Sequence, residues 1–214
     1  MIKAIRIQLL PNNKQRTKLF QFAGTARFAY NWALDKQMKN FKEGRKLQSA
    51  GELRKEFTVL RNSGEKPWLL DVSNNVSKQA IKDLHRAYQN FFRKQKKSGY
   101  VKYTPKKIEH HARIDKPLTV YDMNGHPKFR SKKNGDFRFY QDTVKIEFTD
   151  THVKFENIVG SRRRNRQRAN WIRLAEKGRI PVNAKYTNPR ITFAFRRNQD
   201  YLQNKTHARA KICP

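Results

Sequence analysis

Apolar and polar residues alternate at the start of this chain. Ile5, Ile7 and Leu9 fall on one side of a period-two pattern, and Ala4, Arg6 and Gln8 on the other. That pattern predicts a half-buried strand over residues 2–10. Pro11 stops it, and Asn12 or Asn13 offers a helix N-cap. From 17 to 42 the period lengthens: Leu19, Phe22, Ala23, Ala26, Ala29, Tyr30, Ala33, Met38 and Phe41 recur at helical spacing. Gly24-Thr25 offers a place to split this stretch into a helix-turn-helix. One amphipathic helix tolerating a glycine is the simpler reading.

"SAGE", Ser49 to Glu52, carries the residue types of a capping box, and Leu53, Phe57 and Leu60 then line one helix face. "NSGEKPW" reads as a turn. A long helix is expected from about Ser73 to Lys97, with Val76, Ala80, Leu84, Ala87, Tyr88 and Phe91 as its buried stripe. Residues 98–136 show little periodicity and many turn formers. Alternation returns at Val144, Ile146 and Phe148, followed by "TDT" and then Val153 and Phe155, which predicts a hairpin. Ile191, Phe193 and Phe195 mark a last strand, after which residues 196–214 read as a basic, unstructured tail.

The first strand must find its partners roughly 130 residues downstream, so the helices are inserted into a β unit. The expected class is α+β: a small antiparallel β-barrel interrupted after its first strand by a helical bundle, which covers sheet edges. The divisions are 1–11 for the first strand, 12–97 for the helical unit, 98–136 for a basic insert or linker, 137–195 for the remaining strands and 196–214 for the tail.

Charge narrows the partners. Forty-nine Lys and Arg oppose 17 Asp and Glu, a net +32. A compact body with that charge repels itself unless a polyanion neutralises it, and nucleic acid is the polyanion that fits. No apolar run reaches the ~20 residues of a spanning helix, and the N-terminus lacks a signal peptide's apolar stretch. Neither a membrane nor an exported destination is therefore expected; the bacterial cytosol or nucleoid is. Fourteen Phe, 8 Tyr and 3 Trp supply enough large side chains for a core despite 31% charged residues. The lone cysteine, Cys213, excludes an intramolecular disulfide and a cysteine-based zinc cluster. His110-His111 reads as a solvated loop pair, so no metal or cofactor is expected.

"SRRRNRQR" packs five arginines, Arg162, Arg163, Arg164, Arg166 and Arg168, into residues 161–168. With Trp171 as a stacking surface they are candidate RNA contacts. Lys128, Arg130, Lys132 and Lys133 surround Phe129 as a second basic patch with one aromatic, and they too are candidate RNA contacts. Between Arg93 and Lys107 lie seven cations and no acid. Arg27 and Asn31 stand one helical turn apart, and Arg27 is a candidate phosphate contact on DNA, with a structural role as the alternative.

"GTARFAYNWAL" (24–34), "AIKDLHRAYQNFF" (80–92), "HPKFRSKKNGDFRFYQDTVKI" (126–146) and "YTNPRITF" (186–193) together resemble, in order, the N-terminal half of TnpB proteins. These are the OrfB-type transposases of insertion sequences, which are RNA-guided DNA endonucleases. The resemblance implies a wedge-type, OB-like barrel, a helical recognition lobe and the older helix-turn-helix label over about 13–42. It also implies a guide RNA from the transposon end against the barrel, and a double-stranded target-adjacent motif read by the lobe and barrel. On that basis Asn74, Asn75, Lys78 and Gln79, which open the long helix, are candidate DNA contacts: Asn and Gln suit adenine edges, Lys suits bases or phosphate.

The chain departs from that pattern after Phe193. In relatives a RuvC-like nuclease domain and a four-cysteine zinc element follow, and "AFRRNQDYLQNKTHARAKICP" matches neither. RuvC chemistry needs three converging carboxylates to hold two Mg²⁺, and Asp83, Asp142, Asp150 and Glu156 sit in the non-catalytic half. No catalytic residue is assigned. The tail reads as a frame shift or premature stop, or as that of a short paralogue. The expected function is a transposition-associated protein that binds guide RNA and target-adjacent DNA without cutting. The alternatives are a dedicated repressor and one half of a split nuclease with a separately encoded RuvC half.

Overall fold

The computed structural model describes residues 5–132, 138–142, 146–156, 158, 170–178, 190–195 and 208–213. The chain opens with β1 (Ile5–Leu10) and enters α1 (Asn13–Lys42). Asn12 is the cap: its side-chain oxygen accepts from the Gln15 N–H at 2.9 Å, and Gln15 Oε1 accepts from the Asn12 N–H at 3.0 Å. Two of the orphan donors at the helix start are thereby satisfied. Helix α1 continues unbroken through Gly24 and Thr25, whose hydroxyl donates to the Gln21 carbonyl at 3.0 Å. The single-helix reading holds, and no turn interrupts 13–42.

Helix α2 (Ala50–Asn62) starts at the expected capping box, with Ser49 Oγ accepting from the Glu52 N–H at 3.2 Å and Glu52 Oε2 from the Ser49 N–H at 2.7 Å. Those same hydrogen bonds hold the Glu52 carboxyl below its ordinary range. Helix α3 (Asn74–Gln95) buries Val76, Ala80, Leu84, Tyr88 and Phe91 as the periodicity required. Phe41, expected in the α1 stripe, is instead 51% exposed and meets the Tyr121 ring.

The stretch read as an insert or linker carries an element that periodicity did not announce: α4 (Pro105–Arg113), with no buried residue. His110 and His111 lie on it rather than in a loop; His111 Nδ1 donates to the Lys116 carbonyl at 3.0 Å, and Nε2 stands 3.5 Å from Asp122. The insert is anchored by its end. His126 is buried with its ring edge-on to Tyr88, Phe91 and Tyr121 at centroid distances of 5.6, 5.2 and 5.5 Å. Burial pushes the imidazole pKa down, aided by the Lys107 charge and opposed by Asp122.

Seven strands form one antiparallel sheet in the order β2-β6-β7-β1-β5-β4-β3. They are β2 (Arg138–Asp142), β3 (Glu147–Phe148), β4 (His152–Lys154), β5 (Trp171–Leu174), β6 (Arg190–Phe195) and β7 (Ala208–Cys213), beside β1. The α+β class is observed, and so is the hairpin: β3 and β4 pair through Glu147↔Lys154 and Phe148↔Val153. Val144 lies outside the described residues. Two expectations need correction. The tail is not wholly unstructured, because β7 inserts between β6 and β1, with Ile5 opposite Ile212 and Phe193 opposite Ala210. "ARAKIC" alternates apolar or small residues with cations, a short period-two signal hidden by the basic composition around it. The partners of β1 also lie farther along the chain than roughly 130 residues: they are β5 and β7.

This sheet cannot be flat. Asp142 ends β2 and Glu147 opens β3, at opposite ends of the strand order. Six strand spacings would separate them by roughly 29 Å in a flat sheet, whereas the intervening chain reaches at most about 18 Å. The sheet therefore curls. Phe139 on β2 meets Phe155 just after β4, with ring centroids 6.5 Å apart. Phe139 also takes the edge of Phe22 from α1 at 5.3 Å, so the helices and the concave sheet share one core.

A Cβ placed on Gly24 would find no atom within 4 Å. Gly24→Ala is therefore expected to stabilise the protein by about 0.5–1 kcal/mol in chemical denaturation; a loss of stability would reveal a turn at that point. The buried His126 predicts a second outcome. Its folded pKa is depressed, so the unfolded chain binds the proton more readily, and stability is lost as pH falls below about 6.5. Denaturation midpoints compared at pH 7.5 and 5.5 should fall more steeply for the wild type than for His126→Leu, by up to about 1.4 kcal/mol per pH unit.

Candidate nucleic-acid interface

One segment and two helices converge beside the sheet. After the buried His126 and Pro127, the chain runs without helix or strand through Lys128, Phe129 and Arg130, past α1. Asn31 fixes that crossing: its Nδ2 donates to the Arg130 carbonyl at 2.9 Å, and its Oδ1 accepts from the Arg130 N–H at 2.8 Å. A side-chain amide matches a backbone residue in this way because each offers one donor and one acceptor. The structural alternative is therefore the one Asn31 takes. The Arg130 guanidinium carbon then stands 3.8 Å from the Tyr30 ring centroid, a cation–π contact.

Arg130 faces a cleft of about 500 Å³ between α3, α1 and β2. Helix α3 contributes Gln79, Lys82, Asp83 and Arg86, which share one side because they recur at spacings of three and four. Strand β2 contributes Arg138, Phe139 and Tyr140, and Ala26 of α1 closes the floor. Four cations thus line the cleft with a single acid among its described residues. Gln79 Nε2 donates to Asp83 Oδ1 at 2.9 Å, and Asp83 Oδ2 stands 4.0 Å from Arg130 Nη2. Converging guanidinium and ammonium groups with an amide at their centre suit a phosphate backbone and an adjoining base edge.

The structure brings together only some of the residues selected from the sequence. Gln79 and Arg130 line the same cleft. Asn74, Asn75 and Lys78 lie one turn earlier or on the adjacent face of α3 and do not line it. Ser73 caps that helix and donates to Glu156 at 2.8 Å, so an acid stands at the α3 N-terminus. The Arg61 guanidinium, half-buried nearby, donates to the Val72 carbonyl at 2.9 Å; burial lowers its pKa and the Glu156 charge raises it. Lys128, Phe129 and Lys132 are exposed beside Arg130. Arg27 is half-buried, and its Nη1 has no hydrogen-bond partner among the described residues.

Trp171 lies elsewhere, on β5, with the Lys154 ammonium 5.7 Å above its ring and its carbonyl accepting from Gln15 Nε2 at 2.9 Å. It lines a shallower depression with Thr149, Asp150, Thr151 and His152. Arg162, Arg163, Arg164, Arg166, Arg168 and Lys133 lie outside the described residues. Lys82, Arg86 and Arg138 were missed by sequence reasoning. For Lys82 and Arg86 a signal existed, since cations four apart on the polar face of a helix recur beside Gln79. Nothing in its own stretch placed Arg138 against them.

Among the described residues no group of three or more His, Cys, Asp or Glu is placed to hold a metal ion. None of the described helices is long and apolar enough to cross a membrane.

Comparison with known proteins agrees with the architecture at the N-terminus. Residues 1–46 match the family of helix-turn-helix domains of the OrfB/IS605 type. In this chain those residues hold β1 and the unbroken α1. A stretch of 93 residues is 38% identical to InsQ of Escherichia coli (strain K12), described as a candidate RNA-guided DNA endonuclease. The match covers 44% of this chain and 23% of that protein.

Removing the Asn31 amide leaves the Arg130 backbone groups without their partners. Asn31→Ala is expected to cost about 1–3 kcal/mol in chemical denaturation. A change below about 0.3 kcal/mol would show that residue 130 is held by other contacts.

Proposed function

Because the N-terminal part of this chain is of the TnpB/OrfB type, we propose that it is a nucleic-acid-binding protein of transposition, engaging a guide RNA and target-adjacent duplex DNA. The observation that carries this reading is the cleft in which Lys82, Arg86, Arg130 and Arg138 surround Gln79. A net charge of +32 supports it by raising the local concentration of any polyanion at the surface. Gln79 is the base-reading group and the four cations hold the backbone. Asn74, Asn75, Lys78 and Arg27 extend the DNA contacts along the helices. Lys128, Lys132, Lys133, Trp171 and the arginines of 161–168 contact RNA.

The curled sheet supports the finer reading of a wedge-type barrel, since its two end strands must approach one another. In this proposal strand scission is not performed by the described residues. It is left to carboxylates elsewhere, including those of a separately encoded RuvC half. The chain then acts as the recognition unit, whether in a split nuclease or as a repressor that binds without cutting.

The test is a salt series on purified protein with a random-sequence duplex and, separately, a structured RNA from a transposon end. Affinity should fall steeply between 50 and 200 mM salt. Lys82→Ala and Arg138→Ala should each weaken duplex binding about equally for all sequences and lower the log–log salt slope by about one. A flat salt response, or variants indistinguishable from the wild type, would overturn the reading.

A further inference from the structure

The cleft contains one group that a phosphate-binding surface has no use for. Asp83 lines the cleft among the cations. One carboxylate oxygen accepts from Gln79 Nε2 at 2.9 Å, and the other stands 4.0 Å from Arg130 Nη2. Arg130 cannot simply swing in to close that gap, because Asn31 holds its backbone from both sides and its guanidinium lies against Tyr30. The pair is held apart at the limit of an ion pair, with the carboxylate side chain 38% exposed. A contact of this kind contributes little to stability, so its effect falls on what enters the cleft.

We propose that Asp83 is a specificity-determining residue, which makes the cleft discriminate between bare polyanion and nucleic acid offering a base edge to Gln79. This inference rests on the nucleic-acid reading above. Two physical effects combine. A carboxylate 4.0 Å from Arg130 repels a phosphate that would otherwise seat on that guanidinium, so a backbone is confined to the other cations. The same carboxylate consumes one amide hydrogen of Gln79 and so fixes which way the amide faces. One N–H and the carbonyl oxygen are left, the donor–acceptor pair that a bidentate contact with an adenine edge requires. Without Asp83 the amide turns freely and its preference for one edge is averaged out. Asp83 touches nucleic acid only through its effect on Gln79 and Arg130; it is a positioning residue.

Asp83→Asn keeps the shape and the acceptor that meets Gln79 and removes only the charge, whereas Asp83→Ala removes both. Asp35→Asn is the control, because Asp35 pairs with Lys39 at 2.8 Å on the solvent face of α1. All three variants and the wild type, matched by thermal melting, are assayed on a random-sequence duplex across a salt series. They are then used to select from a duplex library with a randomised central segment, sequenced before and after binding. For Asp83→Asn we expect affinity for the random duplex to tighten roughly 3- to 10-fold at low salt and the salt slope to steepen by about one. The base preference seen with the wild type should flatten in Asp83→Ala, which removes the acceptor that orients Gln79. Asp35→Asn should leave the preference unchanged. A sharp preference retained by Asp83→Ala would reduce Asp83 to an ordinary surface charge and overturn the inference, as would an Asp83→Asn affinity no different from that of Asp35→Asn. Wild-type protein that binds the duplex without salt dependence would instead remove the proposed function itself, and the inference with it.

Discussion

The amide of Asn31 pairs with both backbone groups of Arg130, and much of the molecule hangs on that short crossing. The helical part leaves the sheet after β1 and returns to it at β2, with α1 to α4 in between. An insertion that long would be free to swing unless side chains on the helices grasp the returning strands. Asn31 does so at Arg130, Phe22 at Phe139 and Ser73 at Glu156. Gln15 ties the start of α1 to Trp171 on β5. Three of these contacts join the helical part to chain at or after β2, and that of Asn31 holds the segment that leads into it, so together they tie the helices to the sheet. A cleft needs ties of that kind if its cations are to stand at fixed distances.

The electrostatics of that cleft follow from where the chain places its few acids. With cations so abundant, a positive surface is the default and carries little information about a partner. Position and pairing carry more. Asp35 and Glu56 meet lysines on the outer faces of the helices. Asp122 is held in its ionised form chiefly by the Thr119 hydroxyl. Among the described residues Asp83 is the acid that lines the cationic cleft, bonded to Gln79 there.

The insert has its own physical logic. Helix α4 buries nothing, so the element is stabilised by hydrogen bonds within itself: Tyr100 donates to the Asn124 carbonyl at 2.8 Å and the Asn124 N–H to the Lys102 carbonyl at 2.9 Å. It is attached to the body by His126, set edge-on among three aromatics, and by Tyr121, whose ring meets Phe41 and whose hydroxyl donates to the Met38 carbonyl at 3.3 Å. The neutral imidazole fits that apolar setting and the charged one does not. The same residue begins the run to Arg130, so whatever loosens the plug also loosens the approach to the cleft.

Sequence alone determined the elements whose signals are local. The Ser49–Glu52 capping box, the asparagine cap before α1, the apolar stripes of α1, α2 and α3, the β3–β4 hairpin and the cationic character of the surface depend on residues a few positions apart. The unbroken α1 also follows, because one glycine costs a helix of that length too little to end it. Tertiary structure decided what depends on distant pairs. Strand β7 was masked by its basic neighbours, since a short alternating segment becomes a strand only when two others flank it. The curl of the sheet follows from strand order, which no stretch of residues displays. The cleft follows last: Arg138 comes from a strand, Arg130 from a crossing segment and Lys82 from a helix, and only their packing around Phe139 makes one site of them.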